Sequence, residues 1–184
     1  MRRFSTLNCF SLIALLVLLT AATWIYTDRY RERIARESAV MPAAEAVSAA
    51  VAAKEGINID RVAVRHLQKE DEMVFTCWED LETGQVKLME FEQKGKNLFY
   101  KGGAAASQPF ASPRYSDSEK TVITIYGDNR RVGAVSYSFE NNGKEYRGSI
   151  SGDYLLEVYI LLNEPLAMES VTFYDSEGNI LKNG

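Results

Sequence analysis

Few side chains in this sequence could act as nucleophiles or metal ligands. The 184-residue chain has one histidine, His66, and two cysteines, Cys9 and Cys77. A structural zinc site needs several histidine or cysteine ligands at characteristic spacing, which these residues do not supply. His66 alternates with Val62 and Val64, and this spacing predicts a half-buried histidine that shares one face of a strand with them. We therefore predict no metal site, and no cofactor motif is present.

Cys77 is the one cysteine that lies outside the N-terminal segment. It alternates with Met73 and Phe75, so its thiol is predicted to pack in the core and to be inert. An adjacent strand could bring His66 next to it, which is the arrangement that a cysteine nucleophile needs. With a single cysteine, the body that follows the N-terminal segment cannot form an internal disulfide.

Two pairs of carboxylates could support glycoside hydrolysis without a histidine. The candidates are Glu79 with Asp80, and Glu90 with Glu92, which alternate with apolar residues on a predicted strand. This chemistry requires two carboxyl groups about 5–10 Å apart. The chain has 25 acidic residues, so such pairs also arise by chance. The G-x-S-x-G, S-x-x-K and H-E-x-x-H signatures are absent from the sequence, and we predict no catalytic residue.

Tyrosines are concentrated in the second half of the chain. Eight of them lie after residue 99, among them Tyr100, Tyr115, Tyr126 and Tyr154. Tyrosine combines a large apolar area with a polar tip and suits sugar or peptide platforms, although it also fits β-strands. Tyr115 differs from the others because it stands in an irregular, proline-containing segment. It is the tyrosine for which we consider a binding role.

Composition and charge narrow the classes of partner. Apolar residues make up 46% of the chain, which is enough for a real core. From Ser38 onward there are 15 basic and 22 acidic residues, a net charge of −7. A body with this charge repels phosphate groups, so nucleic-acid binding is excluded as a main function.

An apolar run near the N-terminus predicts a membrane anchor. Residues 10–27 contain no charged side chain, and about 17–20 apolar helical residues just cross a hydrocarbon core of roughly 30 Å. Trp24 and Tyr26 stand at one end of the run, where aromatic rings favour the headgroup zone. We expect a cytoplasmic tail over residues 1–9, a transmembrane helix over 10–27 and the lipid bilayer as a partner.

Two questions about this segment stay open at the level of sequence. Thr20, Ala21 and Ala22 also fit the cleavage site of a signal peptide, which would release a secreted protein that begins at Thr23. The apolar character continues past Ala22, and this favours a retained anchor. A short basic tail before a first apolar segment is held inside, so we expect the body outside the cytoplasm. The four arginines between residues 29 and 36 favour the opposite orientation.

The remainder of the chain is predicted to be α+β. Residues 28–41 mix arginines with acids, as in a solvated helical stalk that ends before Pro42. Residues 42–101 are predicted to form an Ala-rich helix, capped by Gly56, that packs on a four-stranded antiparallel meander. Residues 102–114 (GGAAASQPFASPR) show no periodicity and predict a linker or long loop. Residues 115–184 predict an antiparallel, sandwich-like β-rich domain.

Ten strands follow from the period-two pattern and the turn residues. They are predicted at residues 61–67, 73–78, 85–91, 97–101, 121–126, 132–140, 145–150, 155–162, 171–174 and 180–181. One hairpin also has a predicted register, because Asn142-Gly143 suits a type I′ turn and a one-residue slip would scatter the large apolar residues. The predicted pairs are Asn141 with Lys144, Phe139 with Tyr146, Tyr137 with Gly148, and Val135 with Ile150.

Together these features predict a single-pass membrane protein with an extracytoplasmic α+β body. Its expected function is non-enzymatic, namely binding or accessory work in the cell envelope with a protein, peptide or glycan partner. Two alternatives stay open: a small envelope hydrolase that uses paired carboxylates, and a cleaved, secreted binding protein.

Overall fold

The computed structural model describes the backbone of residues 6–181 and the side chains of residues 15–181. The helices of this part are α1 (Thr6–Ala39), α2 (Ala44–Glu55) and a 3-10 helix (Ile59–Arg61). The strands are β1 (Val62–Glu70), β2 (Met73–Asp80), β3 (Val86–Lys94), β4 (Asn97–Ala105), β5 (Phe110–Ala111), β6 (Arg114–Ser116), β7 (Lys120–Asp128), β8 (Ser136–Asn141), β9 (Lys144–Ser149), β10 (Tyr154–Leu162), β11 (Val171–Tyr174) and β12 (Ile180–Leu181). The fold is α+β with antiparallel sheets, as the sequence predicts.

Helix α1 joins the apolar run and the predicted stalk in one continuous helix of 34 residues. In the part of the chain that the structure describes, no helix is both long and apolar enough to cross a membrane. The transmembrane prediction for residues 10–27 finds no support there. The side chains of residues 10–14, and residues 1–5 of the predicted tail, lie outside the described part.

The end of α1 is attached to the turn between β3 and β4. The backbone N–H of Gly95 donates to the Ser38 hydroxyl at 2.7 Å, and the Gln93 side-chain amide donates to the Glu37 carbonyl at 3.2 Å. Ser38 and Gln93 are buried at this junction. The predicted stalk is therefore joined to the first sheet by hydrogen bonds as well as by the chain.

Helix α2 covers one face of the first sheet, as the sequence predicts. It ends at Gly56, whose left-handed φ of 68° lets its N–H donate to the Ala52 carbonyl. Val47 and Val51, one helical turn apart, are fully buried against the sheet. Their small size permits close approach of the helix to the strands.

The first sheet is the predicted antiparallel meander in the order β1-β2-β3-β4. Successive side chains on β2 alternate between its two faces. Val74 and Trp78 pack under α2, whereas Phe75 and Cys77 pack against the second sheet. Cys77 is therefore a core residue, in agreement with the sequence.

One prediction about β1 is wrong. Val62 and Val64 pair with Asp80 and Trp78, but His66 pairs with Cys77, because a β-bulge lies between Val64 and His66. The extra residue at the bulge shifts the alternation by one position. His66 therefore points to the face opposite the two valines, and it is exposed rather than half-buried.

The second half of the chain forms two further sheets. The second sheet has the order β10-β7-β5, with β6 also paired to β7, and the third has the order β12-β11-β8-β9. Strand β4 continues to Ala105, so residues 102–105 of the segment predicted as a linker are in a strand. Strand β8 begins at Ser136, later than the predicted start at residue 132.

The body is a stack of four layers: α2, the first sheet, the second sheet and the third sheet. Three hydrophobic clusters fill the spaces between successive layers. Gly127 on β7 permits one close contact in this stack, because a Cβ there would overlap the carbonyl of Pro109 and the ring of Phe110 on the crossing segment.

The predicted hairpin forms between β8 and β9. Its register is the predicted one, with Phe139 opposite Tyr146 and Tyr137 opposite Gly148. Gly148 is required there because an added Cβ would overlap the Tyr137 ring. Ile150 donates its N–H to the Val135 carbonyl at 2.8 Å, which extends the same pairing one step beyond the strands.

Candidate binding site

The first and second sheets face each other as a sandwich with one closed and one open edge. On the closed edge, β1 lies against β10, and the Gln68 side chain joins the two strands. Its amide oxygen accepts from Val158 N–H at 3.1 Å and its amide nitrogen donates to the Val158 carbonyl at 3.4 Å. No comparable link joins β4 to β6 among the described residues. The sandwich therefore opens along β4 and β6.

A cleft of about 510 Å³ occupies this open edge. Met73 and Leu88 contribute apolar surface from the first sheet, and residues 102–104 of β4 form one wall. Pro113 and Tyr115, on and beside β6, form the opposite wall. This volume lies within the range of small-ligand and side-chain pockets.

The charged residues that line the cleft are Lys101, Lys120, Asp117 and Glu90. Lys101 binds Glu92, and Asp117 accepts from two backbone N–H groups, but the environment of Glu90 is different. Glu90 is half-buried, and it has no ion pair or side-chain hydrogen bond to any residue that the structure describes. Burial raises the pKa of its carboxyl group. The carboxylate leans over Gly102, where an added Cβ would lie 3.7 Å from Glu90 Oε2. Glu90 is thus an acid of the cleft that forms no ion pair with a described residue, although Lys101 and Lys120 also line the cleft.

Tyr115 stands on the other wall, 40% exposed. Burial raises the pKa of its hydroxyl, and the nearby charges of Glu90 and Asp117 raise it further. The Asp117 carboxylate accepts from the backbone N–H groups of Glu119 and Lys120, both at 2.8 Å, so it holds the β6–β7 turn in place. Tyr115 therefore lies on β6, partly open to solvent, in the same cleft as the unpaired Glu90 carboxyl group and next to a turn that is fixed by hydrogen bonds.

The other three tyrosines have different positions. Tyr126 is fully buried, and its hydroxyl donates to the Ala104 carbonyl at 2.9 Å. Tyr154 donates to Glu79 on the closed edge. Tyr100 is 41% exposed but lies on the α2 side of β4, with Lys54 over its ring and its edge against Phe91. Among these four tyrosines, Tyr115 alone lines the cleft.

The glycine pair in β4 has a packing role that sequence analysis missed. An added Cβ at Gly103 would lie 2.7 Å from the Leu88 carbonyl, which is closer than carbon and oxygen approach. Glycine within a strand often marks such a close approach of backbones. That signal was available in the sequence, but the absence of periodicity around residues 102–114 favoured a loop.

The pair Glu79 and Asp80 does not form a two-carboxylate site. Consecutive residues of a strand point to opposite faces, so the two acids are separated by the sheet. Arg61 donates to both carboxylate oxygens of Asp80, at 3.2 and 2.8 Å. These bonds lower the pKa of Asp80 to about 2.

Glu79 is buried in a network on the closed edge. Its carboxylate accepts from Arg65 Nε at 3.0 Å, Arg130 Nη2 at 2.9 Å and the Tyr154 hydroxyl at 2.8 Å. Burial raises its pKa, but the hydrogen bonds from Tyr154 and the two arginines lower it by more, so the pKa lies below its usual range. Sequence analysis did not find these partners because they come from three separate segments. A carboxylate held in this way stabilises the fold.

A second cleft, of about 660 Å³, lies beside this network at one end of the sandwich. Its ionisable walls include Glu79, Arg130 and Asp128. Arg130 donates to Asp128 as well as to Glu79, at 2.9 Å to Asp128 Oδ1, so these charges neutralise one another. Arg131 also lines this cleft and forms no ion pair with a described residue, so the cleft presents a basic group where the open edge presents Glu90.

Glu90 and Glu92 lie on the same face of β3, and their partners on the neighbouring strand β2 are Phe75 and Met73. Two residues along a strand correspond to about 7 Å. Glu92 is bound by Lys101 at 2.7 Å and Lys94 at 3.0 Å, and these bonds lower its pKa. Within this predicted pair, one acid is therefore desolvated and the other is neutralised by two lysines.

The structure brings His66 and Cys77 together, because they are direct partners in the β1–β2 ladder. Cys77 is nevertheless fully buried, and burial raises the pKa of its thiol to about 12. A thiol that stays protonated is a poor nucleophile. No group of three or more His, Cys, Asp or Glu residues suited to a metal ion occurs in the described part of the chain.

Comparison of the chain with family models, curated proteins and solved structures finds no match. Function is therefore inferred from the geometry and chemistry of the site.

Proposed function

We propose that this protein is a single-pass, membrane-anchored module whose body lies outside the cytoplasm and binds a partner in the cell envelope without catalysis. The observation that carries the proposal is the cleft at the open edge of the sandwich. It combines apolar walls, an exposed tyrosine (Tyr115) and a few charged side chains, among them Glu90, which has no ion pair to a described residue; this is the composition of many ligand sites. The partner classes are a protein, a peptide or a glycan.

The states of the ionisable groups support binding rather than catalysis. Glu79 and Asp80 are held by arginines, and the Cys77 thiol is buried with a raised pKa. General acid–base chemistry needs groups that can exchange protons near neutral pH and reach a substrate. Groups locked in hydrogen bonds inside a sheet sandwich meet neither condition.

The exposure of α1 supports a membrane anchor. Leu15, Leu16, Val17, Leu18 and Leu19 are between 58% and 68% exposed. Five consecutive residues cover every side of a helix, so apolar surface faces outward all round. Water disfavours such a surface, whereas lipid tails accommodate it. The exposed rings that follow this stretch suit the headgroup zone.

Reporter fusions test the location of the body. A reporter that is active only outside the cytoplasm is fused after Gly184, and a cytoplasm-only reporter is fused at the same position. We expect activity from the first fusion, with full-length protein in the membrane fraction. Activity from the second fusion would refute the proposed location. If the mature protein begins at Thr23, the N-terminal segment is a cleaved signal peptide, and the secreted alternative replaces the proposal of a membrane anchor.

Site-specific photo-crosslinking in cells tests the binding role of the cleft. A benzophenone amino acid replaces either Tyr115 or Tyr100, whose exposures of 40% and 41% match while they lie on opposite sides of the first sheet. We expect a discrete adduct from position 115, weakened by Glu90→Gln, and none from position 100. Equal patterns at the two positions would refute the cleft as the binding site.

A hydrolase is the second candidate, and one observation favours it. The pKa of Glu90 is raised by burial and that of Glu92 is lowered by Lys101 and Lys94, so the pKa values of two carboxyl groups on one face of β3 are moved in opposite directions. If the protein hydrolyses envelope glycans, Glu90→Gln and Glu92→Gln should each abolish turnover. We expect no turnover by the unmodified protein under the same conditions.

A further inference from the structure

Strand β4 forms a free edge of the first sheet. In the order β1-β2-β3-β4 it pairs with β3 alone, and no other described strand forms a ladder with it. In an antiparallel ladder, alternate backbone N–H and C=O groups of an edge strand point away from the sheet. These groups can pair with a further extended segment.

The two halves of β4 differ in how well they resist such pairing. Edges are protected by lysine, proline or a bulge, and the first half has both Lys101 and the irregularity opposite Glu90 and Phe91. Residues 102–105 (GGAA) contain no charge, proline or large side chain. The Tyr126 hydroxyl fixes this segment by its bond to Ala104 O. The unprotected half of the edge is therefore the half that lines the cleft.

The register of β3 and β4 links this edge to the unpaired Glu90 carboxyl group. Glu90 is the direct partner of Gly102, and direct partners point to the same face. A residue of an added strand that lies opposite Gly102 would project on that face as well. Gly102 has no side chain that would stand between this added residue and Glu90, and the Glu90 carboxylate already lies over Gly102. A lysine or arginine side chain is long enough to cross one strand spacing of about 4.8 Å and reach Glu90.

Charge and aromatic contacts then indicate the residue that would be bound. Glu90 is half-buried and forms no ion pair with a described residue, because Lys101 in the same cleft binds Glu92 at 2.7 Å and Lys120 does not reach Glu90. A cation from a partner would therefore stabilise the Glu90 carboxylate. The Tyr115 ring across the cleft offers a surface for the aliphatic stem and a face for the cationic head.

We infer that β4 binds an extended basic peptide of a partner protein by strand addition. The peptide backbone pairs with residues 102–105, and a lysine or arginine opposite Gly102 binds Glu90 beneath Tyr115. This inference rests on the proposed binding function and names the partner class for the same cleft. Main-chain pairing supplies affinity in this mode of recognition, and the single basic side chain supplies specificity.

Selection from a displayed library of seven-residue peptides tests this inference with the full chain in lipid nanodiscs. Enriched peptides are synthesised with a fluorescent label, and their affinities are measured by polarisation. We expect enriched sequences to contain a central Lys or Arg between β-branched residues and to lack proline. Replacing that basic residue by glutamate should abolish binding. An absence of enrichment, or enrichment without a basic residue, would overturn the inference.

Variants of the cleft supply the matched comparison. Glu90→Gln should weaken binding of the enriched peptides at least about tenfold, because it removes the counter-charge. Valine is compatible with a strand, but in Gly102→Val its side chain would block the basic side chain of the peptide from Glu90. This variant should therefore weaken binding to a similar extent. Glu157→Gln is the control, since Glu157 is a half-buried acid of raised pKa on the closed edge, and it should leave affinity unchanged. Equal affinities for all three variants would refute the site.

Two further measurements separate this inference from the proposed function. On peptide binding, amide hydrogen exchange should slow in residues 102–105, and unchanged exchange would refute strand addition. Soluble chitooligosaccharides are tested against the same protein and a Tyr115→Ala variant. Glycan binding that depends on Tyr115, without peptide binding, would overturn the peptide inference and retain the binding module. If the protein forms a dimer and the Gly102→Val substitution dissociates it, the occupant of the cleft is a second copy of this chain, and the peptide inference is overturned as well.

Discussion

The network around Glu79 should make a large contribution to the stability of the sandwich. The Glu79 side chain is 6% exposed, and it receives hydrogen bonds from Arg65 on β1, Arg130 after β7 and Tyr154 on β10. These partners belong to both sheets. The substitution Glu79→Gln keeps the shape of the side chain but removes its charge, so it tests the charge-assisted bonds directly.

The expected loss follows from the number and exposure of these bonds. A hydrogen bond to a charged group contributes about 1.5–3 kcal/mol, and three side chains donate such bonds to Glu79. The side chains of Arg65 and Arg130 are 33% and 38% exposed, so hydrogen bonds to water replace part of the bonding that the two arginines lose in the variant. The glutamine also retains some hydrogen bonding. We therefore expect Glu79→Gln to lower the free energy of unfolding by about 2–3 kcal/mol.

Urea denaturation of the full chain in mild detergent measures this loss. A Trp24→Phe background leaves Trp78, which is fully buried, as the one fluorescent tryptophan. The midpoint should fall by about 1–2 M with an unchanged slope. Because the pKa of Glu79 is lower when folded, its stabilisation is present above the usual glutamate range and is lost as the pH falls through that lowered pKa. The difference between the variant and its parent should therefore vanish in acid.

Glu82→Gln is the matched control. Glu82 pairs with Arg61, but its side chain is 65% exposed, so its removal should not change the midpoint measurably. If Glu79→Gln shifted the midpoint no more than this control, the network would not stabilise the fold and the reasoning from burial would be wrong. A shift that persisted unchanged in acid would show that the lost charge is not its cause.

Three other predictions concern packing, acid stability and reactivity. Gly127→Ala should destabilise the protein by about 2–4 kcal/mol in thermal melts because its Cβ would overlap the crossing segment, whereas Gly102→Ala should change little. Asp80→Asn should lower stability at neutral pH, and the loss should shrink as the pH falls toward 2, because the Arg61 bonds that lower the folded pKa of Asp80 to about 2 stabilise only its ionised form. With Cys9→Ser in place, Cys77 should react with a thiol reagent only after unfolding, because burial raises its pKa to about 12.

Each of these predictions has a contrary outcome. Equal melting temperatures for the two glycine variants would mean that the crossing segment moves aside without cost. A difference for Asp80→Asn that is as large at pH 2 as at neutral pH would assign its effect to packing instead of charge. Rapid modification of Cys77 in the native protein would show that the sandwich opens locally. Cys77, the strand partner of His66, would then again be a candidate nucleophile.

Local pattern was sufficient to predict much of the secondary structure. The alternation on β2 correctly divided Phe75 and Cys77 from Val74 and Trp78, because a strand has a period of two wherever it is regular. The β8–β9 register followed from one turn and the alternation of large apolar residues. Both features depend on neighbours within a few residues, which a sequence shows directly.

Irregularities in strands defeated the same reasoning. The bulge before His66 reversed its face, and a bulge is decided by how two strands fit rather than by the composition of either. Gly102 and Gly103 belong to β4, where the Leu88 backbone approaches Gly103 closely, although their composition is typical of a loop. Tyr115 was singled out from its irregular surroundings, and the structure places it at the cleft.

By itself the sequence determined the acidic charge of the body, the apolar run at the N-terminus, the antiparallel α+β class and the faces of the regular strands, because these follow from composition and short-range periodicity. Only the tertiary structure decided which edge of the sandwich stays open. It also decided that Glu79 forms ion pairs with Arg65 and Arg130, whereas Glu90 forms none with a described residue. Those outcomes depend on strands far apart in sequence, whose order and spacing are settled when the layers pack together.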